Sequence, residues 1–373
     1  MNNFAIEKFK SFLQEHQCTT ALLTNPATLT WLSGYAPPIQ TGPSPFEGGP
    51  AIGWWCDNTF TLLLSDMESP AAQALDLPSI DYISYTIDEP IAGFSNQAQA
   101  LKKLLAPHKS LSGNLAIELN FLPATMLPIL QDALPQVRFK IVDHDLPLLR
   151  AVKSPQEIHK IRSALAVADQ GQEITRRFMR DGLSEIEIWG QVKAELERNI
   201  GGRLPMLADF VGGARTADIG GLPGTYRLQN GDAFIADLVP RLDGYWGDNA
   251  ATYFVNDPEP RSRKVYQVVL ETLEKGLAAV KPGVRAADLD ALMRSAIQDN
   301  GFPVYSHHSG HGLGVTYHEE PRIVPYNTLP LQAGMIVALE PGIYLPGEVG
   351  VRLEDVVLVT EDGCEVLTHH LYH

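Results

Sequence analysis

The chain of 373 residues contains few cysteines. Its three cysteines, Cys18, Cys56 and Cys364, are scattered and form neither a CxxC pair nor any spacing typical of a metal site. This pattern supports neither a disulfide framework nor a zinc knuckle. We therefore expect ordinary buried thiols.

The sequence also lacks an apolar run of the roughly 18 residues that a membrane span needs. In the N-terminal segment, charged residues interrupt Phe4, Phe9, Phe12 and Leu13, which are at helical spacing. This leaves no apolar signal-peptide core. We therefore expect no membrane segment and a location in the cytoplasm.

An excess of positive charge is absent as well, since the formal net charge is −15. Nucleic acids and anionic membranes would both require a basic patch, so neither is an expected partner. A small molecule or a peptide is the more suitable substrate. The length exceeds what one hydrophobic core usually organises, which predicts two domains.

Residues 1–149 have the pattern of an α/β domain. Short apolar runs alternate there with segments of helical period: ALLT, FTLLLS, NLAIE and RFKIV. The Pro- and Gly-rich segment at 35–50 predicts a loop. A second domain, 150–373, begins with a helix for which Ser154 and Glu157 form a capping box.

The second domain shows a repeated plan. A helix pair, the second member of which starts at Ser184, leads into a hairpin with Asp237 and Asp248. A further helix pair then leads into a hairpin with Glu340 and Glu354. This order predicts an internal duplication whose two halves face one another across one site.

Four carboxylates in apolar strands require a positive partner, because an unpaired buried charge costs several kcal/mol. Carboxylates with one imidazole suit Mn²⁺, Co²⁺, Fe²⁺ or Zn²⁺, and His311, between Gly310 and Gly312, is the imidazole candidate. Each of these residues, considered alone, could have a purely structural role. Asp243, in the turn of the aspartate hairpin, is interpreted as a turn residue. The combination favours a metal site.

Several motifs together resemble the prolidase and Xaa-Pro aminopeptidase family of metallopeptidases, which have the pita-bread fold. They are DGYWGDNAATYF, SHHSGHGLGVTYHEEP, ALEPGIY and GVRLEDVVLVTEDG. The resemblance implies a creatinase/prolidase-like N-terminal domain, a pita-bread catalytic domain and a homodimer. It also implies two divalent metal ions, with Mn²⁺ expected first, held by five ligands: Asp237, Asp248, His311, Glu340 and Glu354.

The resemblance also implies catalytic roles. Glu340 would handle protons beside a metal-bound hydroxide, and His318 would stabilise the oxyanion that develops on the substrate. Arg352 is expected on the strand face of Glu354, where it could orient a carboxylate. Thr252 is expected to form a hydrogen bond beside the metal ligands. His307 is expected either to take part in the site or to have a loop or packing role.

The chain departs from the family pattern at three positions, of which Trp31, in the place of a common tyrosine, lies in the N-terminal domain. Gly220 occupies the place of a family histidine, and Asp218 is either a compensating acid or an ordinary loop residue. We expect Gly220 to leave a space about the size of the lost ring and to extend the substrate preference beyond proline. Ala251 replaces a frequent arginine, and both changes are expected on the substrate side.

The expected function is hydrolysis of the N-terminal bond of dipeptides or short peptides, with proline after the scissile bond as the default preference. One alternative is a hydrolase or lyase of a small non-peptide compound, since one fold hosts many chemistries. Another is a binding protein without turnover, which the complete ligand set disfavours.

Overall fold

A computed structural model describes residues 2–39, 46 and 48–372 of the protein. The chain divides into two compact units, Met1–Arg150 and Ala151–His373. Residues 40–45 and 47 of the loop predicted at 35–50 lie outside the described residues, and the part that is described forms neither helix nor strand. No helix among the described residues is long and apolar enough to cross a membrane.

The first unit is an α/β domain with a six-stranded mixed sheet in the order β4-β3-β2-β1-β5-β6. The four apolar runs noted in the sequence form β1, β3, β5 and β6, as predicted. The elements are α1 Asn3–Glu15, β1 Cys18–Leu23, α2 Pro26–Ser33, β2 Ile52–Cys56, β3 Thr59–Ser65, α3 Ser69–Ala74, β4 Ser79–Tyr82, α4 Gly93–Leu105, β5 Gly113–Ile117, α5 Leu127–Ala133, β6 Val137–Ile141 and α6 Leu146–Leu149.

The second unit contains helices and antiparallel strands. Its sheets are a four-stranded sheet β10-β8-β7 in which β9 also pairs with β8, a five-stranded sheet β12-β11-β13-β16-β17 and a two-stranded sheet β14-β15. Its elements are α7 Pro155–Phe178, α8 Glu185–Ile200, β7 Met206–Gly212, β8 Ala233–Leu242, β9 Tyr245–Trp246, β10 Asn249–Phe254, α9 Pro260–Ala279, α10 Ala286–Asp299, β11 Gly310–Gly312, β12 Glu319–Ile323, β13 Ile336–Leu339, β14 Gly342–Leu345, β15 Val349–Arg352, β16 Asp355–Val359 and β17 Cys364–Val366.

The helix starts in this unit follow the local signals of the sequence. Ser154 and Glu157 form a capping box at the start of α7, and Ser184 and Glu187 form one at the start of α8. Each box satisfies backbone N–H groups that have no partner within the helix. The two helix pairs, each followed by strands, confirm the predicted duplication.

The hairpin that carries the aspartates turns at Asp243 and Gly244, which both have positive φ, 47° and 84°. Two-residue turns of this kind match the twist of the flanking strands, and the Asp-Gly sequence favours them. Asp237 lies in the middle of β8, and Asp248 directly precedes β10. The turn reading of Asp243 is therefore confirmed.

The hairpin that carries the glutamates is interrupted. Strand β13 pairs with β16 and strand β14 pairs with β15, and both Glu340 and Glu354 lie at the break between these two pairs. Pro341 at the break has no N–H to donate to a ladder. At the other side of the break, the backbone N–H of Glu354 donates a hydrogen bond to the carbonyl of Ala250 on the aspartate hairpin, at 2.8 Å. This bond joins the two halves of the unit at the carboxylates.

Candidate metal centre

Asp237 and Asp248 come from the first half of the second unit. Their side chains are 14% and 5% exposed. On β8, Asp237 lies directly opposite Ala250 of β10 on one side and Asp209 of β7 on the other. Because side chains of opposed residues lie on the same face of an antiparallel sheet, Asp209 and Asp237 are neighbours.

His311 and the two glutamates come from the second half. His311 lies on β11, where a Cβ at Gly310 would lie 2.0 Å from the carbonyl oxygen of Ala338. A Cβ at Gly312 would lie 2.2 Å from the carbonyl oxygen of Glu320. The two glycines are therefore needed for the close packing of the neighbouring chain segments, which brings the His311 ring to the glutamates.

These residues form overlapping clusters whose potential ligand atoms lie within 4.8 Å of one another. The clusters contain all five residues that the resemblance implies as ligands, together with His318. They are Asp248, His311 and His318; His311, Glu340 and Glu354; and Asp237, Asp248 and Glu354. The structure thus brings together the complete predicted set.

The carboxylates repel one another in the absence of a cation. Burial and the neighbouring acids raise the pKa of Asp248 and of Glu354 well above the ordinary range. Burial raises the pKa of Asp237 to about 7, although Arg352 opposes the shift. For Glu340 the neighbouring imidazoles outweigh burial, and its pKa lies below the usual range.

Two buried oxygens at this place, Asp237 Oδ1 and Glu354 Oε1, have no hydrogen-bond partner among the described residues. A buried acceptor without a partner costs free energy unless something else satisfies it. Divalent cations would satisfy both atoms and would also offset the repulsion among the acids. The donor set therefore fits the metal ions that the sequence implies.

His311 is oriented to act as a neutral ligand. Its Nδ1 lies 2.9 Å from the carbonyl oxygen of Gly312, an arrangement that places the proton on Nδ1 and leaves the lone pair on Nε2. Nε2 lies 3.6 Å from Asp248 Oδ2 and 3.5 Å from Glu340 Oε1. Burial lowers the pKa of this ring, which favours the form that binds metal.

His318 lies at the edge of the same group. Its ring is exposed, and its centroid is 4.2 Å from that of His311 and 5.0 Å from that of His308. The structure therefore brings His318 close to the ligands, within reach of a group bound beside them. Its predicted position outside the ligand set stays a prediction.

Arg352 connects the site to its surroundings. Its Nη2 donates to Asp237 Oδ2 and to Asp209 Oδ2, both at 2.7 Å, and its Nη1 donates to the carbonyl of Ile219 at 2.6 Å. The Thr252 hydroxyl bonds both the backbone carbonyl and the N–H of Arg352. The carboxylate that Arg352 orients is therefore that of Asp237, a candidate ligand on another strand.

Sequence analysis missed three residues of this site: Asp209, His308 and Tyr344. His308 Nδ1 lies 3.0 Å from Glu340 Oε1, and the Tyr344 hydroxyl lies 2.9 Å from Nε2 of His307. His307 thus borders the site, with its Nδ1 3.9 Å from Glu340. The sequence did contain a signal for Asp209, because this residue is an acid within the apolar run of β7.

The expected space beside Gly220 is not present. A Cβ on Gly220 would lie 2.1 Å from Asp209 Oδ2, so the Asp209 carboxylate already fills this volume. Asp209 Oδ1 accepts a hydrogen bond from the backbone N–H of Gly221 at 2.8 Å. Asp218, the acid considered as compensation, is exposed and does not line the cavity at the site.

Ala251 also differs from expectation. It is completely buried, it pairs with Ala236 across the sheet, and both residues pack in the hydrophobic core with Phe210 and Phe234. On β10 it points away from the face that carries the aspartates. The change at Ala251 therefore does not alter the substrate side.

The candidate ligands line a cavity of about 200 Å³. Its other walls include His318, Leu207, Val239, Tyr317 and Asp209. Leu207 and Tyr317 are exposed, so the cavity presents an apolar surface beside its acidic floor. Such a combination suits a small substrate that has an apolar part and one reacting polar bond.

Comparison with known proteins agrees with this geometry. Residues 6–152 match the creatinase/prolidase N-terminal domain, and residues 159–361 match metallopeptidase family M24. An uncharacterized peptidase of Staphylococcus aureus is 30% identical over 366 residues, which are 98% of this chain and 99% of that protein.

Solved structures of prolidases are also similar to this chain over nearly its whole length. The prolidase from Pyrococcus horikoshii is 25% identical, with a TM-score of 0.84 and coverage of 99% of each chain. The prolidase from Pyrococcus furiosus is 27% identical, with a TM-score of 0.78 and coverage of 97% of this chain and 99% of that one. This chain therefore belongs to metallopeptidase family M24, a family of dinuclear metal-dependent hydrolases, and carries the creatinase/prolidase N-terminal domain.

Proposed function

We propose that the protein is a dinuclear peptidase that hydrolyses the N-terminal bond of dipeptides or short peptides, with Xaa-Pro bonds as the default substrates. The observation that carries this proposal is the cluster of four carboxylates and His311, in which two buried carboxylate oxygens have no hydrogen-bond partner within the described part of the chain. The cavity of about 200 Å³ supports a short substrate. The Pyrococcus relatives named as prolidases support the choice of Xaa-Pro.

The metal ions would be held by Asp237, Asp248, His311, Glu340 and Glu354, with Mn²⁺ as the first choice among divalent ions that suit these donors. When bound, such a pair of ions supplies a hydroxide at neutral pH and polarises the substrate carbonyl. We also propose a homodimer and a location in the cytoplasm. Both proposals rest on the resemblance to the prolidase family.

The side chains of the protein supply the remaining chemistry. Glu340 lies beside His308 and accepts and returns the proton that passes to the leaving amine. His318, exposed at the cavity wall, donates a hydrogen bond to the oxygen on which negative charge develops. Arg352 holds Asp237 in a fixed orientation from behind the cavity.

The ligand assignment predicts that Asp248→Asn and Glu354→Gln bind less metal and do not hydrolyse peptides, while the fold is retained. Each change removes a negative charge that the cations require. Elemental analysis after dialysis, together with circular dichroism, measures both effects. Asp243→Asn removes an equal charge at the exposed turn and serves as the control. Wild-type metal content in both variants would refute the assignment.

The raised pKa values predict how the stability of the metal-free protein depends on pH. Folded Asp237, Asp248 and Glu354 retain protons that the unfolded chain releases above about pH 4. These three acids therefore destabilise the fold as pH rises from about 4 through 7, and the gain on adding Mn²⁺ should grow.

Burial lowers the pKa values of His307, His311 and His318, so these rings contribute a slope of the opposite sign below about pH 6.5, and Glu340, whose pKa is also lowered, does the same at about pH 4. The prediction therefore concerns the difference between the wild type and a variant that lacks one of the three acids.

Thermal unfolding of the metal-free protein across this pH range tests the expectation. The Tm of Glu354→Gln relative to that of the wild type should rise with pH, because one of the three groups no longer titrates. Asp243→Asn should follow the wild type. A Tm difference between Glu354→Gln and the wild type that stays constant or falls over this range would show that the acids do not repel one another as described.

The proposed role of His318 predicts that His318→Ala keeps its metal but loses turnover. Removal of one oxyanion-stabilising donor typically lowers kcat by about 10²–10³-fold. Elemental analysis measures the retained metal, and kcat with Ala-Pro as substrate measures the loss of turnover. Loss of metal from this variant would make His318 a ligand, as its place in a cluster with Asp248 and His311 permits.

The preference for proline can be tested at Gly220. Gly220→His alone should not restore a family-like site, because the new Cβ meets the Asp209 carboxylate. The double variant Asp209→Ala/Gly220→His has room for the ring. It should raise kcat/KM for Ala-Pro relative to Ala-Ala, whereas the single variant should lose activity on both dipeptides.

Both dipeptides should be substrates of the wild type, because the carboxylate of Asp209, and not an imidazole donor, occupies the volume beside Gly220. Strict wild-type selectivity for Ala-Pro, unchanged in the double variant, would contradict the expectation. If neither dipeptide, other dipeptides nor short peptides were hydrolysed by the fully metal-loaded wild type, a small non-peptide substrate would become the better proposal.

A further inference from the structure

Asp209 is an acid of the cavity wall that the metal ligand set does not use. It lines the same cavity as the candidate ligands but belongs to none of the clusters whose ligand atoms lie within 4.8 Å of one another. Its side chain is 38% exposed, compared with 5% for Asp248 and 10% for Glu340. Asp209 is therefore accessible to a molecule in the cavity.

The position of the Asp209 carboxylate is fixed by three contacts. Oδ1 accepts from the N–H of Gly221, Oδ2 accepts from Arg352 Nη2, and the group packs against the Cα of Gly220. A carboxylate has about four lone-pair sites, so two hydrogen bonds leave each oxygen able to accept another. The group is held in place and can still bind a donor.

The charge around Asp209 favours a cationic donor. Arg352 Nη2 bonds both Asp209 and Asp237 at 2.7 Å, so one positive charge is shared between two acids. Neither lysine nor arginine occurs among the described residues that line the cavity. Hydrogen bonds between a carboxylate and a cation are about twice as strong as neutral ones, and an anionic group at this point would be repelled.

We propose that Asp209 determines specificity by binding a positively charged group of the substrate next to the scissile bond. The inference rests on the peptidase function proposed above. Asp209 lies directly opposite Asp237 on the neighbouring strand, where side chains are about 5 Å apart, so the bound cation lies within one residue of the reacting carbonyl. A peptide offers two such groups, the N-terminal ammonium and a basic side chain on the leaving residue.

The test uses metal-loaded wild type and Asp209→Asn, which keeps the shape of the side chain and its acceptor for Gly221. Three substrates are compared: Ala-Lys, Ala-norleucine and N-acetyl-Ala-norleucine. If the basic side chain is bound, the ratio of kcat/KM for Ala-Lys to that for Ala-norleucine should fall about 10- to 100-fold in the variant. If the ammonium is bound, the ratio for free to acetylated Ala-norleucine should fall by that amount.

Metal content and the binding of lysinamide and norleucinamide, measured by calorimetry, give readouts that do not depend on turnover. Metal content should be unchanged in Asp209→Asn, and Asp243→Asn should match the wild type throughout. Equal substrate ratios in wild type and Asp209→Asn would overturn the proposal. Loss of metal from Asp209→Asn would also overturn it, because Asp209 would then act by positioning Asp237 through Arg352.

The design separates this proposal from the peptidase function itself. Absence of hydrolysis of every peptide by the wild type would refute the function. In that case calorimetry still decides the role of Asp209, since a cation site should bind lysinamide, or both amides if the ammonium is the bound group, more tightly in the wild type than in Asp209→Asn.

Discussion

Electrostatic repulsion among four buried carboxylates is the constraint on which the second unit depends. Asp237 and Asp248 come from one half of the duplicated fold, and Glu340 and Glu354 come from the other. The halves are joined at these residues, through the bond from Glu354 N–H to Ala250 and through Thr252 to the backbone of Arg352. Packing therefore holds together acids that would separate if they were free to move. Cations bound to these acids would therefore also stabilise the fold.

Arg352 couples this centre to the substrate side of the cavity. Its guanidinium is buried, and it bonds Asp237, Asp209 and the carbonyl of Ile219 at once. Ile219 is a β-branched residue with a φ of 76°, an uncommon conformation that this contact helps to hold. One side chain thus positions a candidate metal ligand, a wall residue and the backbone that precedes Gly220.

The sequence predicted those features whose physical causes are local. The Asp243-Gly244 turn and the capping boxes at Ser154 and Ser184 each depend on a few adjacent residues. The acids that now lie together could also be found, because charges in apolar strands stand out in any window. The hydrogen bond between Arg352 and Asp209, and the one between Glu354 and Ala250, could not be predicted in the same way. They depend on contacts between segments that are far apart in the chain.

Positions 209 and 220 show why the reaction is easier to predict than the substrate. A glycine at 220 considered alone predicts an empty space, yet the carboxylate of a residue on another strand occupies that space. Neither residue can be changed freely, since a side chain at 220 requires the acid at 209 to leave. Metal ligands must satisfy the cations whatever the substrate is, whereas the wall needs only to be filled. Two compensating changes can therefore replace an imidazole by a carboxylate, which reverses the hydrogen-bonding character of the wall while the metal ligands stay in place.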